Sequence, residues 1–289
     1  PVPDQNNATD GDLLIAWALV RAANKWGEAA YADAARRIAR DILRACVTDF
    51  VGRRILLPGV RGFSRGNTII VNPSYFAFGA YRALSRLVPD ASWAALEASS
   101  LDILRSSALG RWQLPPDWCE ISRDATIRPA ADWPPRFSWD AVRIPVRLAW
   151  AGLREAPVEA AARFFFDQTH PYRPPAWTDL YRNQISPYPG HAGILAVAQF
   201  AARRTGVSAP MRRIALSESP DYYGASLVLM TGMASVEPPE APAEVPPAPA
   251  APAQSRSGAM VTTVMRYLGL RDDTTPVAPT SPGGSAPTN

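Results

Sequence analysis

Apolar residues recur three or four positions apart through most of the first 235 residues, and only short stretches alternate. This spacing places the apolar side chains on one stripe of a helix, and the stripe must be buried against another helix. The sequence therefore predicts an all-α fold. We expect eight helices of similar length, at residues 12–26, 28–47, 74–87, 92–108, 138–153, 158–169, 191–205 and 222–233.

The connections between the expected helices alternate between short and long. Helical hairpins joined in this way favour a toroid, in which inner helices pack on one another and the long loops gather at one end. Two short apolar runs, 55–57 and 68–71, predict a minor β ribbon inside one such loop. Asp10 is expected as a helix cap, and His191 after Gly190 as a cap or a core residue.

The composition changes sharply near residue 236. The runs EPPEAPAEVPPAPAAPA and TTPVAPTSPGGSAPTN contain no aromatic residue. Such segments bury too little surface to offset the entropy lost on ordering. We therefore predict a globular domain at 1–235 and a disordered Pro/Ala-rich tail at 236–289, in which only 260–270 has the pattern of a short helix.

Several classes of protein are disfavoured by the charge and by the metal-binding residue types. The net charge is +4, but Lys25 is the only lysine and the arginines stand singly or in pairs, so no stripe for nucleic acid is expected. No apolar run approaches the roughly 18 residues of a membrane span. Cys46, Cys119, His170 and His191 are too few and too scattered for a zinc site, and we expect no metal or organic cofactor.

The stretch Ala8-Thr9-Asp10-Gly11-Asp12 places two carboxylates at the start of the first expected helix. Carboxylates in this position cap backbone N–H groups, and the helix dipole keeps them ionised. A plain N-cap and a functional acid pair both explain the pattern.

The second informative stretch is residues 137–145. Asp140 and Arg143 are three residues apart, hence on one face near a helix start. The arginine favours the ionised carboxylate, which can act as a general base on water. Most such pairs are solvated surface ion pairs, but the flanking Trp139 and Pro145 favour a less ordinary site.

Tryptophans accumulate around the expected long loops. Flat aromatic faces are the surfaces on which sugar rings stack, and packing in the core is the alternative for each residue. The residues are Trp17, Trp26, Trp112, Trp118, Trp133, Trp139 and Trp177.

Several short motifs follow one another in a fixed order. They are residues 8–12 with Ile15-Ala16, Ala18-Leu19, Ala22 and Trp26, then Leu56-Leu57-Pro58-Gly59, Gly62-Phe63, Asn72-Pro73-Ser74-Tyr75, Pro116-Asp117-Trp118, Trp139-Asp140-Ala141-Val142-Arg143 and Tyr222-Tyr223. In this order and spacing the chain resembles glycoside hydrolase family 8 over about residues 5–235. It looks most like the endo-β-1,4-glucanases encoded with bacterial cellulose synthases.

The resemblance implies an (α/α)6 barrel that hydrolyses internal β-1,4 bonds of cellulose-like glucans with inversion at the anomeric carbon. Carried over by motif, Asp140 would be the base, and Asp10, or in its place Asp12, would contact the sugar at the cleavage point. Tyr75 and Arg143 would orient that sugar, the water or Asp140. The implied stacking platforms are Trp17, Trp26, Trp118 and Trp139.

The chain departs from the family pattern in one segment. The family's general acid is a glutamate in a Ser-Glu-Gly-Gln-like segment that precedes the Ala-Thr-Asp-Gly-Asp motif, and this sequence has no such segment. Eight expected helices against the twelve of a full barrel also predict a barrel that is incomplete at its N-terminus. Loss of a general acid costs about 10² to 10⁴ in rate.

Three functions therefore remain open. The first is an endoglucanase of which this chain lacks the beginning, the second a non-catalytic glucan-binding remnant, and the third a family 8 enzyme for another polymer such as xylan. The expected partner is a β-1,4-glucan polymer or oligosaccharide, with a functional link to cellulose synthase. The resemblance also implies a periplasmic or secreted protein.

Overall fold

The computed structural model describes residues 4–219 and 221–242, and all eight expected helices are present there. They are α1 (Thr9–Trp26), α2 (Ala29–Ala45), α3 (Phe78–Leu87), α4 (Ala91–Ser106), α5 (Ile144–Trp150), α6 (Ala156–Phe165), α7 (Ala192–Thr205) and α8 (Tyr222–Val236). The prediction of an all-α fold is confirmed for these residues. Left-handed glycines end two of the helices, α1 at Gly27 and α7 at Gly206.

Successive helices alternate between an inner and an outer layer. The helices α1, α3, α5 and α7 contact one another in sequence, whereas α2, α4, α6 and α8 pack outside them. Every residue of α5 is buried, as are eight of the ten residues of α3, while α2 buries only Ala35, Ala39 and Ile42. Helices α3 and α5 are buried on most sides because other helices pack around them. This double layer is the predicted toroid of hairpins.

Short strands line the loops between the helices. The strands are β1 (Val47–Phe50), β2 (Arg53–Leu56), β3 (Ser64–Arg65), β4 (Thr68–Val71), β5 (Cys119–Ser122), β6 (Ile127–Pro129), β7 (Arg136–Phe137) and β8 (Thr178–Asp179). Strands β3 to β6 form one antiparallel sheet in chain order, β1 pairs with β2, and β7 pairs with β8.

The two apolar runs predicted as one ribbon belong to different sheets. Residues 53–56 pair with 47–50 across the two-residue turn Val51-Gly52, and 68–71 pair with β3 and β5. Both turn residues have positive φ, which matches the twist of a tight hairpin. The turn therefore brings β2 to its neighbour in the chain and not to β4.

The helix starts differ from two of the three sequence-based expectations. Helix α1 begins at Thr9, one turn earlier than expected, so that Ala8 is its N-cap. The one backbone N–H that donates to the side chain of Asp10 among the described residues is that of Gly11, at 2.9 Å. The prediction that Asp10 caps the helix is therefore wrong. Residues 73–75 form a 3₁₀ turn before α3. His191 does cap α7, because its Nδ1 accepts the N–H of Gly193 at 3.1 Å.

An open apolar groove of about 670 Å³ runs between α1 and α8 and is lined by both helices. The segment after α8 lies on the same side, where Glu237 pairs with Arg21 at 2.5 Å and Nε1 of Trp17 donates to Glu240 at 3.0 Å. The rest of the predicted tail, with the expected helix at 260–270, lies outside the described residues. Within the described ranges, no helix combines the length and apolarity that crossing a membrane requires.

Candidate active site

Three segments that are far apart in the sequence meet around the guanidinium group of Arg143. Nη1 donates to Oδ2 of Asp10, at the start of α1, at 3.0 Å. Nη2 donates to Oγ of Ser74 at 2.7 Å and to Oδ1 of Asp140 at 2.5 Å. We call these four side chains the Arg143 cluster.

The local sequence fixes each of these segments. Oδ1 of Asn72 accepts the N–H of Ser74 at 3.0 Å and its hydroxyl at 2.7 Å, so the turn presents Ser74 in one orientation. The turn 141–143 is a 3₁₀ helix that continues into α5, and Pro145 is tolerated there because the first turn of a helix needs no internal N–H partner. Arg143 is thus held at the start of a buried helix.

The cluster is a largely buried group of two carboxylates and one cation. The side chains of Arg143 and Asp10 are 15% and 12% exposed, and that of Asp140 is 30% exposed. Burial lowers the pKa of Arg143, but the carboxylates of Asp140 and Asp10 outweigh this and raise it above the ordinary value. The guanidinium is therefore a permanent charge at this site.

Asp140 is the cluster member that is most accessible to solvent. Burial raises its pKa above the ordinary value, and Arg143 together with the indole N–H of Trp118, which donates to Oδ2 at 3.1 Å, opposes the rise. A carboxylate with a raised pKa is a stronger base than a free one. The geometry of Asp140 thus suits the removal of a proton from water.

Aromatic rings enclose the cluster on one side. Tyr75 lies under Arg143, with 5.7 Å from the guanidinium carbon to the ring centre, and burial followed by the charge of Asp10 raises the pKa of Tyr75 to about 12. Its hydroxyl is therefore a neutral donor at all working pH values. The Tyr75 ring also contacts Trp118, at 6.1 Å between ring centres.

Two other aromatic rings lie parallel to the indole of Trp118. Trp133 is stacked on it at 4.5 Å and 11°, and Phe63 lies parallel at 6.0 Å and 10°. The role of Trp118 as a stacking platform, which the motifs imply, stays a prediction. Trp118 also donates its indole N–H to Asp140.

The other predicted stacking residues lie in three different surroundings. Trp139 is 49% exposed next to Asp140 and is stacked on His191 at 5.5 Å, so it retains a face for a ligand. Trp17 is only 6% exposed, and packs on Trp150 at 4.8 Å. Trp26 is exposed, but it lies sixteen residues after Asp10 on α1, about 24 Å away along the helix.

Asp12 does not belong to the Arg143 cluster. It accepts a hydrogen bond from Nδ2 of Asn7 at 2.7 Å and lines a cavity of about 250 Å³ with residues of α2. Because positions two apart on a helix face away from each other, only one of the two acids can reach Arg143. The structure places Asp10 there.

Sequence reasoning missed three residues next to the cluster. Ser74 was named only as part of a motif, Asp117 only as the neighbour of Trp118, and Arg147 not at all. Arg147 is fully buried one turn after Arg143, and burial lowers its pKa to about 10. Its Nε and Nη1 have no hydrogen-bond partner among the described residues. A four-residue spacing from Arg143 was the one available signal.

No second proton donor is found at the cluster within the described residues. Asp10, the other carboxyl group of the cluster, is paired with Arg143 at 3.0 Å. The glutamates that form ion pairs do so with other arginines: Glu97 with Arg82, Glu120 with Arg128, Glu155 with Arg105, Glu159 with Arg163, Glu218 with Arg212, Glu237 with Arg21 and Glu240 with Arg86. Among the described residues, the cluster thus contains a candidate base, Asp140, and no glutamate.

The fold and the site place the chain in one family. The family model described as glycosyl hydrolases family 8 matches residues 1–236, and the chain belongs to that family. It is 39% identical over 198 residues to an endoglucanase of Cellulomonas uda, covering 68% of this chain and 55% of that protein. It is 35% identical over 238 residues to a probable endoglucanase of Novacetimonas hansenii, covering 82% of this chain and 68% of that protein.

Solved structures show the same architecture. The endo-β-1,4-glucanase CMCax from Acetobacter xylinum superimposes with a TM-score of 0.75 at 35% identity, over 81% of this chain and 73% of that one. Endoglucanase Cel10 from Klebsiella pneumoniae gives a TM-score of 0.73 at 36% identity, over 81% and 74%. The described helices therefore adopt the (α/α)6 barrel fold of the family. The chain spans 55% of the length of the Cellulomonas uda endoglucanase, so its activity is a proposal.

Proposed function

We propose that this chain is an endo-β-1,4-glucanase that hydrolyses internal bonds of a cellulose-like glucan with inversion at the anomeric carbon. The observation that carries the proposal is the position of Asp140, a partly exposed carboxylate with a raised pKa, held by Arg143 and Trp118. The endoglucanases among its relatives support the substrate class.

In the proposed reaction Asp140 accepts a proton from a water molecule while the water oxygen attacks the anomeric carbon. The bond to the leaving sugar oxygen breaks as the new bond forms, and that oxygen takes a proton from a carboxylic acid on the opposite face. Among the described residues, no carboxyl group other than Asp10 and Asp140 hydrogen-bonds to Arg143, and the proposal assigns the acid to a residue outside the cluster.

The remaining cluster residues orient the reactants. Asp10 is fixed by Arg143 with one carboxylate oxygen, and its second oxygen accepts only from the neighbouring Gly11 N–H, so it can bind a sugar hydroxyl. Tyr75 stays protonated and presents a hydroxyl donor. Trp139 offers an exposed ring beside the base, on which a neighbouring sugar of the chain can stack.

The polymer and the place of action are part of the same proposal. A cellulose-like polymer lies outside the cytoplasm, which fits a periplasmic or secreted protein with a functional link to cellulose synthase. Xylan is the alternative polymer. A panel of cello-oligosaccharides and xylo-oligosaccharides of equal length separates the two, because a glucan site gains binding from the hydroxymethyl group that xylose lacks.

A second candidate function is glucan binding without cleavage. The observation in its favour is the same missing acid, since Asp10, Arg143 and Trp139 can hold a sugar without one. In that case oligosaccharides bind and remain intact.

The test is hydrolysis of carboxymethylcellulose and cellohexaose by this chain, by its Asp140→Asn variant and by a chain extended to the length of its relatives. We expect the extended chain to cleave with inversion, as followed by NMR of the released anomer, and Asp140→Asn in it to lower kcat at least about 10³-fold. The matched control is Asp41→Asn, which removes an exposed carboxylate paired with Arg44.

The outcomes separate the candidates. If the Asp140→Asn variant still cleaves glucan, Asp140 is not the base. Binding of cellohexaose without cleavage by either length of chain favours the binding function, and retention of the anomeric configuration excludes the proposed mechanism.

A further inference from the structure

Asp117 lies outside the Arg143 cluster but contacts the turn that carries Asp140. Its side chain is buried in the segment just before β5. Oδ1 accepts the N–H of Ser138 at 2.9 Å and the N–H of Ala141 at 2.7 Å, and Oδ2 accepts the hydroxyl of Ser138. One carboxylate therefore holds both ends of the four-residue turn on which Asp140 stands.

The helix that follows this turn has no cap of its own. Neither Asp140 nor Arg143 accepts a backbone N–H with its side chain at the helix start. Free N–H groups at a helix start need acceptors, and the helix dipole favours a negative charge there. Asp117 meets both needs from a distant part of the chain, which leaves the carboxylate of Asp140 free to face the site.

Two further hydrogen bonds connect residues 117–118 to the segment that carries Asp140. The backbone N–H of Asp117 donates to the carbonyl of Arg136 at 2.7 Å, directly before the turn. Trp118, the next residue, donates its indole N–H to Asp140. The dipeptide 117–118 thus holds the backbone of the turn with one side chain and the carboxylate of the base with the other.

We infer that Asp117 is a positioning residue for Asp140, and that its carboxylate sets the distance of the base from the attacked sugar by clamping residues 138–141. The inference rests on the proposed function, in which Asp140 is the base. Asp117 itself is 8% exposed and its oxygens are occupied by three donors, so it acts through the turn and does not contact the substrate.

The test compares two substitutions at the clamp with one at a neighbouring turn. Asp117→Asn keeps an acceptor for the two N–H groups but replaces the oxygen that accepts from Ser138, and Ser138→Ala removes only that hydroxyl. The control is Asp179→Asn, because Asp179 is also buried and also accepts two backbone N–H groups, those of Tyr181 at 3.0 Å and Arg182 at 2.8 Å.

We expect Asp117→Asn to lower kcat on cellohexaose about 10- to 100-fold, because a displacement of the reacting groups by about 1 Å costs up to about 10²-fold. KM should change less than about threefold, since the residue does not touch the sugar. Ser138→Ala should lower kcat less than Asp117→Asn, and Asp179→Asn should leave it within about twofold. An Asp117→Asn protein that is folded and keeps its kcat overturns the inference.

A second measurement does not depend on activity. The indole N–H signal of Trp118 in a ¹⁵N spectrum, assigned through its loss in Trp118→Phe, reports the hydrogen bond to Asp140. Asp140→Asn and Asp117→Asn should both shift this signal, and Asp179→Asn should not. If no chain cleaves glucan, the proposed function fails while this spectrum still decides the position of Asp140. If Asp117→Asn does not fold, both measurements are made on Ser138→Ala. An unchanged kcat and an unchanged Trp118 indole signal in that variant overturn the inference.

Discussion

Replacing Arg143 with methionine should lower the free energy of unfolding by about 3 kcal/mol at pH 7. The substitution keeps the length of the side chain and removes the cation that both Asp10 and Asp140 contact. Removing one partner of a buried ion pair costs about 3–5 kcal/mol, because an uncompensated charge stays behind. We expect a loss at the lower end of this range, because the side chain of Asp140 is 30% exposed to solvent.

The loss should become smaller as the pH falls. Without Arg143, the pKa of Asp140 rises further above its ordinary value, because the cation that lowered it is gone. A carboxyl group with a higher pKa in the folded than in the unfolded state stabilises the fold at low pH and loses that contribution as the pH rises. The variant should therefore lose less stability at about pH 4 than at pH 7.

The assay is urea unfolding followed by far-ultraviolet circular dichroism at both pH values. Arg44→Met is the matched control, since Arg44 also pairs with an aspartate three residues before it, Asp41, but both side chains are exposed. Exposed pairs contribute about 0.2–1 kcal/mol. An Arg143→Met variant that loses no more than Arg44→Met, or that loses the same at both pH values, refutes the reasoning.

Three further predictions concern residues around the cluster. Burial raises the pKa of Asp117 to about 6, so the folded wild-type chain is stabilised by protonation of this carboxyl group at low pH. Its free energy of unfolding, measured with urea and compared with that of Asp117→Asn, should therefore fall by up to about 3 kcal/mol between pH 4 and pH 6.5. Arg147→Met should raise the unfolding free energy by about 1–4 kcal/mol, because a buried and unpartnered guanidinium is replaced by an apolar side chain; a lower Tm contradicts this. Trp118→Phe removes a donor that lowers the pKa of Asp140, so the acid limb of the pH profile of kcat should move to higher pH, and an unmoved limb contradicts the assignment.

The number and type of the helices could be predicted from the sequence. Helix α3 is buried over eight of its ten residues and helix α2 has one apolar stripe, and the spacing of the apolar residues locates both. The exact helix starts could not be predicted, because they depend on contacts from elsewhere. The 3₁₀ turn at 141–143 that leads into α5 uses an acceptor on Asp117 for the N–H of Ala141, and no rule based on neighbouring residues indicates that partner.

The site could be predicted only in part. The spacing of Asp140 and Arg143 indicates their contact, because three positions on a helical turn place them together. The choice between Asp10 and Asp12 needed the orientation of α1 relative to α5, which depends on how the two helices pack. The rings that lie parallel to Trp118 likewise come from other segments, at Phe63 and Trp133.

The sequence by itself determined the helical architecture, the family motifs and the identity of the candidate base, since these follow from local spacing and from residue type. Only the tertiary structure decided which acid joins the base, which aromatic rings remain free and which carboxylate holds the turn. Each of these depends on side chains from segments far apart in the chain, and the packing of the helices alone brings them within hydrogen-bonding distance.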